Sequence, residues 1–158
     1  MLKHPIQPVY DENSRILILG SFPSVKSREQ MFFYGHPQNR FWRLLSEIFE
    51  YPLPKTVEEK RSFLLSSQIA LWDVISTCEI TGSSDTSIKN VVPNDLSGIL
   101  NCANIERIFL NGKTAEKYYN RFFRDIINIE AMCLPSTSPA NAVYTFDKLV
   151  ESWKIIRC

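Results

Sequence analysis

A chain of 158 residues is about one ordinary domain, long enough to bury a core and too short for two full enzyme domains. With 18 Lys and Arg against 17 Asp and Glu the net charge is only +1, so no global positive field advertises a nucleic-acid partner, and any such binding must come from a local patch. Hydrophobic residues at 44% and charged ones at 22% fit a globular chain and exclude intrinsic disorder.

The lead-in MLKHPIQPVYDENSR carries no long apolar run and reads as a loose N-terminus holding His4, one of only two histidines. Ile16 to Ser21 is a short apolar run ending in Gly and followed by Pro23, which suits a strand buried on both faces. Phe41, Leu44, Leu45, Ile48 and Phe49 then form a stripe that lines up only on a helix. Thr56 with Glu59 is a capping-box signature for a helix through about Ser67. Strand-like runs recur at Ile69 to Ile75, Ile108 to Gly112 and Ile129 to Leu134. Helical stripes follow Thr114 (Ala115, Tyr118, Tyr119, Phe122, Phe123) and Thr145 (Phe146, Leu149, Val150, Trp153). No apolar stretch approaches the ~20 residues of a membrane span, so the expectation is a soluble, cytoplasmic protein, nucleoid-associated if bacterial, with no membrane partner.

Buried strands alternating with amphipathic helices imply an α/β fold, a three-layer α/β/α sandwich with a central four-stranded parallel sheet, because parallel neighbours need helical crossovers. No repeat or composition break divides the chain, so residues 1–158 are read as one domain. Ligands in such sheets bind at the carboxyl ends of the strands. Four segments lie there: Gly20 to Ser24, Asp73 onward, Asn111-Gly112, and Pro135 to Asn141. Cys78, Cys102, Cys133 and Cys158 have no C-x-x-C spacing, so they read as reduced, mostly buried thiols; with two histidines, neither a metal nor another cofactor is expected.

The densest segment is Phe32-Phe33-Tyr34-Gly35-His36-Pro37-Gln38-Asn39-Arg40-Phe41-Trp42. Asn39 immediately precedes a helical stripe, the place of a helix N-cap. The same aromatics also offer a stacking face for a planar ring, and the amides and Arg40 can hydrogen-bond its surroundings. Leu134-Pro135-Ser136-Thr137-Ser138-Pro139-Ala140-Asn141 is a stiff loop whose hydroxyls can donate to phosphate oxygens. The absence of G-x-G-x-x-G and of G-x-x-x-x-G-K-[ST] disfavours a dinucleotide or Walker-type site.

Together these segments resemble the uracil-DNA glycosylase superfamily over nearly the whole chain, and within it the hypoxanthine (deoxyinosine) branch. Gly35-His36-Pro37-Gln38-Asn39-Arg40-Phe41-Trp42 is similar to the H-P-x-N-R-F-W segment of mismatch-specific members. Gly20-Ser21-Phe22-Pro23-Ser24 corresponds to the first motif, and Ser136-Thr137-Ser138-Pro139 to the second. Phe22 departs from the pattern: relatives carry there the Asp or Asn that positions the attacking water. The resemblance to the hypoxanthine branch implies that Asn39 takes that role. Ser136 stands in place of a histidine, and Ala140 in place of a bulky wedge, leaving Asn141 or Tyr144 to fill the gap left by a flipped base. Asp73 falls where many members carry a base-reading Asn, and Tyr34 aligns with a base-stacking aromatic, with Phe33 its nearest rival.

The expected activity is a monofunctional DNA glycosylase that flips out and excises hypoxanthine, with damaged, deoxyinosine-containing DNA as partner and the protein a monomer. N-glycosidic cleavage leaves an oxocarbenium-like sugar and an anionic base, so a site must place a water and stabilise the leaving base. The Asn39 carbonyl can accept from that water, and no lysine lies in the three motifs to form a Schiff base. Phe22, Phe33, Tyr34, Asp73 and Asn111 are expected around the base. Ser24, Lys26, Arg40, Ser136, Thr137, Ser138 and Asn141 are expected along the DNA, where Gly20 to Arg43 carries a local excess of three positive charges. Asp73 has a second reading, as a cap of the following turn. Uracil or mismatch excision, and a non-catalytic module that binds damaged bases, remain the alternatives.

Overall fold

The computed structural model describes residues 1–157; Cys158 lies outside the described residues. Four parallel strands form the central sheet in the order β3-β2-β6-β7, with β2 Ile16–Gly20, β3 Ile69–Asp73, β6 Arg107–Asn111 and β7 Ala131–Leu134. Alternation along the strands divides the core between the two faces. Ile18, Leu71 and Phe109 pack under α2 (Phe41–Phe49), α3 (Val57–Ser66) and α6 (Phe146–Trp153). Leu17, Leu19, Ile108 and Leu110 pack under α4 (Ser97–Cys102) and α5 (Lys113–Phe122). The three-layer sandwich is therefore present. Thr56 and Glu59 form the reciprocal capping box at α3, and the Thr145 side chain caps α6.

The apolar run Ile69 to Ile75 is not one strand. It breaks at Val74, and the chain leaves the central sheet to form β4 (Ile75–Glu79), the middle strand of a second, antiparallel sheet with β1 (Leu2–Lys3) and β5 (Lys89–Pro93). Buried Asn94 holds the break by donating Nδ2 to the carbonyls of Asp73 (2.9 Å) and Ile75 (3.1 Å). A short helix α1 (Val25–Gln30) follows the first strand.

The N-terminus is not loose. His4 N–H bonds the Ser76 carbonyl at 2.7 Å, Trp72 Nε1 donates to the Ile6 carbonyl, and Val9 exchanges two backbone bonds with Leu71. Nor are the thiols mostly buried: Cys78 is, Cys133 is half-buried and Cys102 is exposed.

Candidate active site

The chain runs from β2 outward to β3, then crosses back to β6 on the other side of β2, so the sheet has its switch point between β2 and β6. Register brings the carboxyl ends flush: Gly20 lies opposite Asp73, and Asn111 opposite Leu134. The Gly35 to Trp42 segment and the Pro135 to Asn141 loop close over this end through three side chains.

Thr137, with 0% exposure, is the hub. Its hydroxyl donates to Asn39 Oδ1 (2.9 Å) and accepts from Asn111 Nδ2 (3.1 Å), while its N–H donates to Asn111 Oδ1 (3.1 Å). Asn39 Oδ1 also accepts from Phe41 N–H at 2.9 Å. Two donors occupy both lone pairs of that carbonyl. The carbonyl therefore cannot hold a water as the sequence suggests, and the cap-like and network roles of Asn39 coexist. Asn39 Nδ2 has no acceptor among the described residues and is the group left to meet a ligand.

Arg40 does not stand ready for a phosphate. Its guanidinium donates to the carbonyls of Thr137 (3.4 Å), Ser138 (2.8 Å), Asn141 (3.2 Å) and Tyr144, and burial lowers its pKa. Four carbonyls converging on one planar fork fix the whole second loop. Within that loop Ser136 Oγ accepts from Ser138 N–H and Ser138 Oγ from Ala140 N–H, which leaves both hydroxyl protons to donate outward. Asn141 Nδ2 is held by the Ser136 carbonyl, and Val143, 79% exposed, is the loop's projecting apolar side chain.

The base-facing set divides. Phe33 is buried in the core, and Phe22 is buried against the edge of the His4 ring, so neither offers a free face. Tyr34 is held at φ 54°, a strained conformation for an aromatic residue, with its ring stacked on Phe41 at 4.1 Å. Its hydroxyl and Asp73 Oδ1 converge on Gly20: a Cβ there would lie 2.8 Å from the first and 2.5 Å from the second. That close approach is what requires glycine. Burial, and after it the Asp73 carboxylate, push the Tyr34 phenol far above its ordinary range, so it stays a protonated donor.

Asp73 is buried, and its Oδ2 meets His4 Nε2 at 2.7 Å. Asp73 is thus paired through its side chain, and the bend after it is held by Asn94 rather than by an Asp cap. His4 Nδ1 accepts from Ile6 N–H, so the ring proton sits on Nε2 and is donated to Asp73. Two residues of this site escape sequence reading. His4 is marked only by a proline after it. Asp85, an exposed residue between β4 and β5 in a Ser/Thr/Gly-rich turn, reaches the rim beside Thr114 and Ser21; partial desolvation of its carboxyl there and the nearby Asp73 raise its pKa.

The other expected DNA contacts are engaged within the protein. Ser24 caps α1 and donates its hydroxyl proton to Ser27 Oγ, Lys26 pairs with Glu29 in solvent, and Thr137 is inaccessible. Arg28 donates to the Gly82 carbonyl, and Arg43 stacks over Phe146 at 4.2 Å. No group of three or more His, Cys, Asp or Glu side chains among the described residues could hold a metal, and no helix is long and apolar enough to cross a membrane.

A family model described as the uracil DNA glycosylase superfamily matches residues 7–157. A curated hypoxanthine DNA glycosylase of Methanosarcina acetivorans is 35% identical over 158 residues, covering 99% of this chain and 98% of its own. Its counterpart in Methanosarcina barkeri is 39% identical over 120 residues, 75% of this chain and 76% of its own. A solution NMR structure of a Methanosarcina acetivorans protein, described as a candidate uracil DNA glycosylase, superposes with a TM-score of 0.84 at 34% identity, covering 99% and 98% of the two chains.

Proposed function

The chain belongs to the uracil DNA glycosylase superfamily, and from that premise we propose that it is a single-domain, monomeric, monofunctional DNA glycosylase that excises hypoxanthine from deoxyinosine-containing DNA. The observation that carries the choice of base is Asp73: a buried acceptor at the strand ends, with Oδ2 held by His4 and Oδ1 facing the Gly20 cradle.

The chemistry of the leaving base explains why a carboxylate fits hypoxanthine. An acceptor at this point reads an N–H beside a carbonyl, which hypoxanthine offers at N1 and O6 and uracil at N3 and O4. When the glycosidic bond of uracil breaks, the negative charge spreads onto O2 and O4, on either side of N3–H. A carboxylate bonded there would sit against the developing anion. In hypoxanthine the bond breaks at N9 and the charge collects on the five-membered ring, across the bicycle from N1. The same carboxylate then opposes departure far less. The Tyr34 hydroxyl supplies a neutral donor at the other side of the cradle, and its ring, backed by Phe41, stacks on the base.

Asn39 places the water. Its carboxamide is locked by Phe41 N–H and Thr137, so Nδ2 donates to the water oxygen, whose remaining lone pair bonds to C1′ once the C1′–N9 bond has broken and its electron pair has left with the base; the proton the water then loses passes to the departed base anion or to solvent. An amide removes no proton, which suits a dissociative reaction in which placement matters more than activation. Ser136 and Ser138 donate to flanking phosphates, and Val143 fills the gap left in the duplex. The test is to incubate the protein with duplexes carrying deoxyinosine, deoxyuridine or only normal bases, then cleave abasic sites with alkali. Strand cleavage confined to or strongest at deoxyinosine is expected. Equal excision of uracil would remove the Asp73 argument, and tight lesion binding without turnover would leave a damage-recognition module.

A further inference from the structure

We propose that His4 is a positioning residue that sets the discrimination between hypoxanthine and adenine, by locking the Asp73 carboxylate in one orientation. The inference rests on the reading of Asp73 as the base acceptor and goes beyond it to a residue far away in sequence. The His4 side chain is 2% exposed, enclosed by the rings of Phe22, Phe33 and Trp72 at 5.7–6.2 Å, and its backbone is tied to Ser76. The ring is thus packed by three aromatic rings, and the residue's backbone is tied to β4. The imidazole is polarised from behind by Ile6 N–H on Nδ1 and donates from Nε2 to Asp73 Oδ2.

A lock matters because undamaged adenine is the base this site must refuse. Adenine presents a lone pair at N1, where hypoxanthine presents N–H, and an amino group at C6. A carboxylate free to turn about its last torsion could swing an oxygen from the N1 position to the C6 amino group and accept adenine nearly as well. With Oδ2 fixed by His4, Oδ1 stays opposite N1, where adenine sets lone pair against lone pair. Discrimination therefore comes from the rigidity of the acceptor, and the residue that supplies it never touches the base.

Two amide variants separate this role from general packing. The side-chain nitrogen of glutamine is as many bonds from Cβ as His Nε2, whereas that of asparagine is only as far as Nδ1. His4→Gln keeps the donor to Asp73; His4→Asn keeps the Ile6 contact and loses Asp73. The readout is binding to duplexes carrying 2′-fluoro-2′-deoxyinosine or 2′-fluoro-2′-deoxyadenosine, in which the fluorine suppresses cleavage, together with single-turnover excision from deoxyinosine. His4→Gln is expected to keep the hypoxanthine-over-adenine binding preference within about threefold of the parent, and His4→Asn to lower it about tenfold or more, the size of one lost hydrogen bond to a charged group. A preference unchanged in His4→Asn, or lowered equally in both variants, overturns the proposal while leaving excision by the parent protein intact. A parent protein that prefers the inosine analogue but never cleaves deoxyinosine refutes the enzyme reading and leaves the role of His4 standing.

Discussion

Replacing Thr137 with valine removes one oxygen from the centre of the site and keeps the shape. That oxygen donates to Asn39 Oδ1 at 2.9 Å and accepts from Asn111 Nδ2 at 3.1 Å, and the residue has no exposed surface through which water could substitute. Leaving the Asn111 donor buried without its acceptor costs about 1–3 kcal/mol, and losing one of the two donors to Asn39 about 0.5–1.5 kcal/mol more. The sum, about 1.5–4.5 kcal/mol, lowers Tm by roughly 3–18 °C in a domain of this size. Because Phe41 N–H alone then holds the Asn39 carboxamide, single-turnover excision of hypoxanthine falls by about tenfold or more. Thr137→Ser keeps the hydroxyl and loses a buried methyl, about 1 kcal/mol, with activity within about threefold of the parent. Urea denaturation and single-turnover kinetics on the two variants check both halves. Equal stability and equal rates in the valine and serine proteins would refute the view that the hydroxyl is the hub.

Gly20→Ala places a methyl 2.5 Å from Asp73 Oδ1 and 2.8 Å from the Tyr34 hydroxyl; excision falls by about tenfold or more, with the far-ultraviolet circular dichroism spectrum unchanged. Val143→Gly removes the projecting apolar side chain of the second loop, so activity drops on duplex deoxyinosine and stays at the parent level on single-stranded substrate, measured side by side. A carboxyl whose pKa is raised by folding binds its proton more tightly folded than unfolded, so it disfavours the native state as pH rises through the folded value. Asp85→Asn removes that penalty and raises Tm at neutral pH, with the difference from the parent vanishing at about pH 3, where both states are protonated.

The central sheet is legible because each of its strands is a short apolar run, and three of the runs end at Gly or just before Pro. Thr56 and Thr145 announce their helices by the side chains that cap them. The break after Asp73 is not legible: Ile69 to Ile75 is apolar at every position but Asp73, with no Gly or Pro to mark an end, and the group that enforces the break is Asn94, about twenty residues later. The same limit hides the roles of Arg40 and His4. A cation beside a helix reads as a phosphate ligand until the fold gathers four carbonyls around it. A histidine in a two-proline lead-in reads as solvent-exposed until a two-residue strand docks it on Asp73. The sequence marks Asn39 as both a cap and a candidate functional residue, but which of its two polar atoms is free depends on Thr137, ninety-eight positions away.

That last point can be measured most directly with Asn39→Asp. Aspartate keeps an oxygen for Phe41 N–H and for the Thr137 hydroxyl but has no counterpart of Nδ2. If the amide nitrogen places the water, single-turnover excision of hypoxanthine by Asn39→Asp falls by about a hundredfold or more, as it does in Asn39→Ala. An Asn39→Asp protein as fast as the parent, or faster, beside an inactive Asn39→Ala protein would show that an oxygen at this position holds the water and would contradict the account.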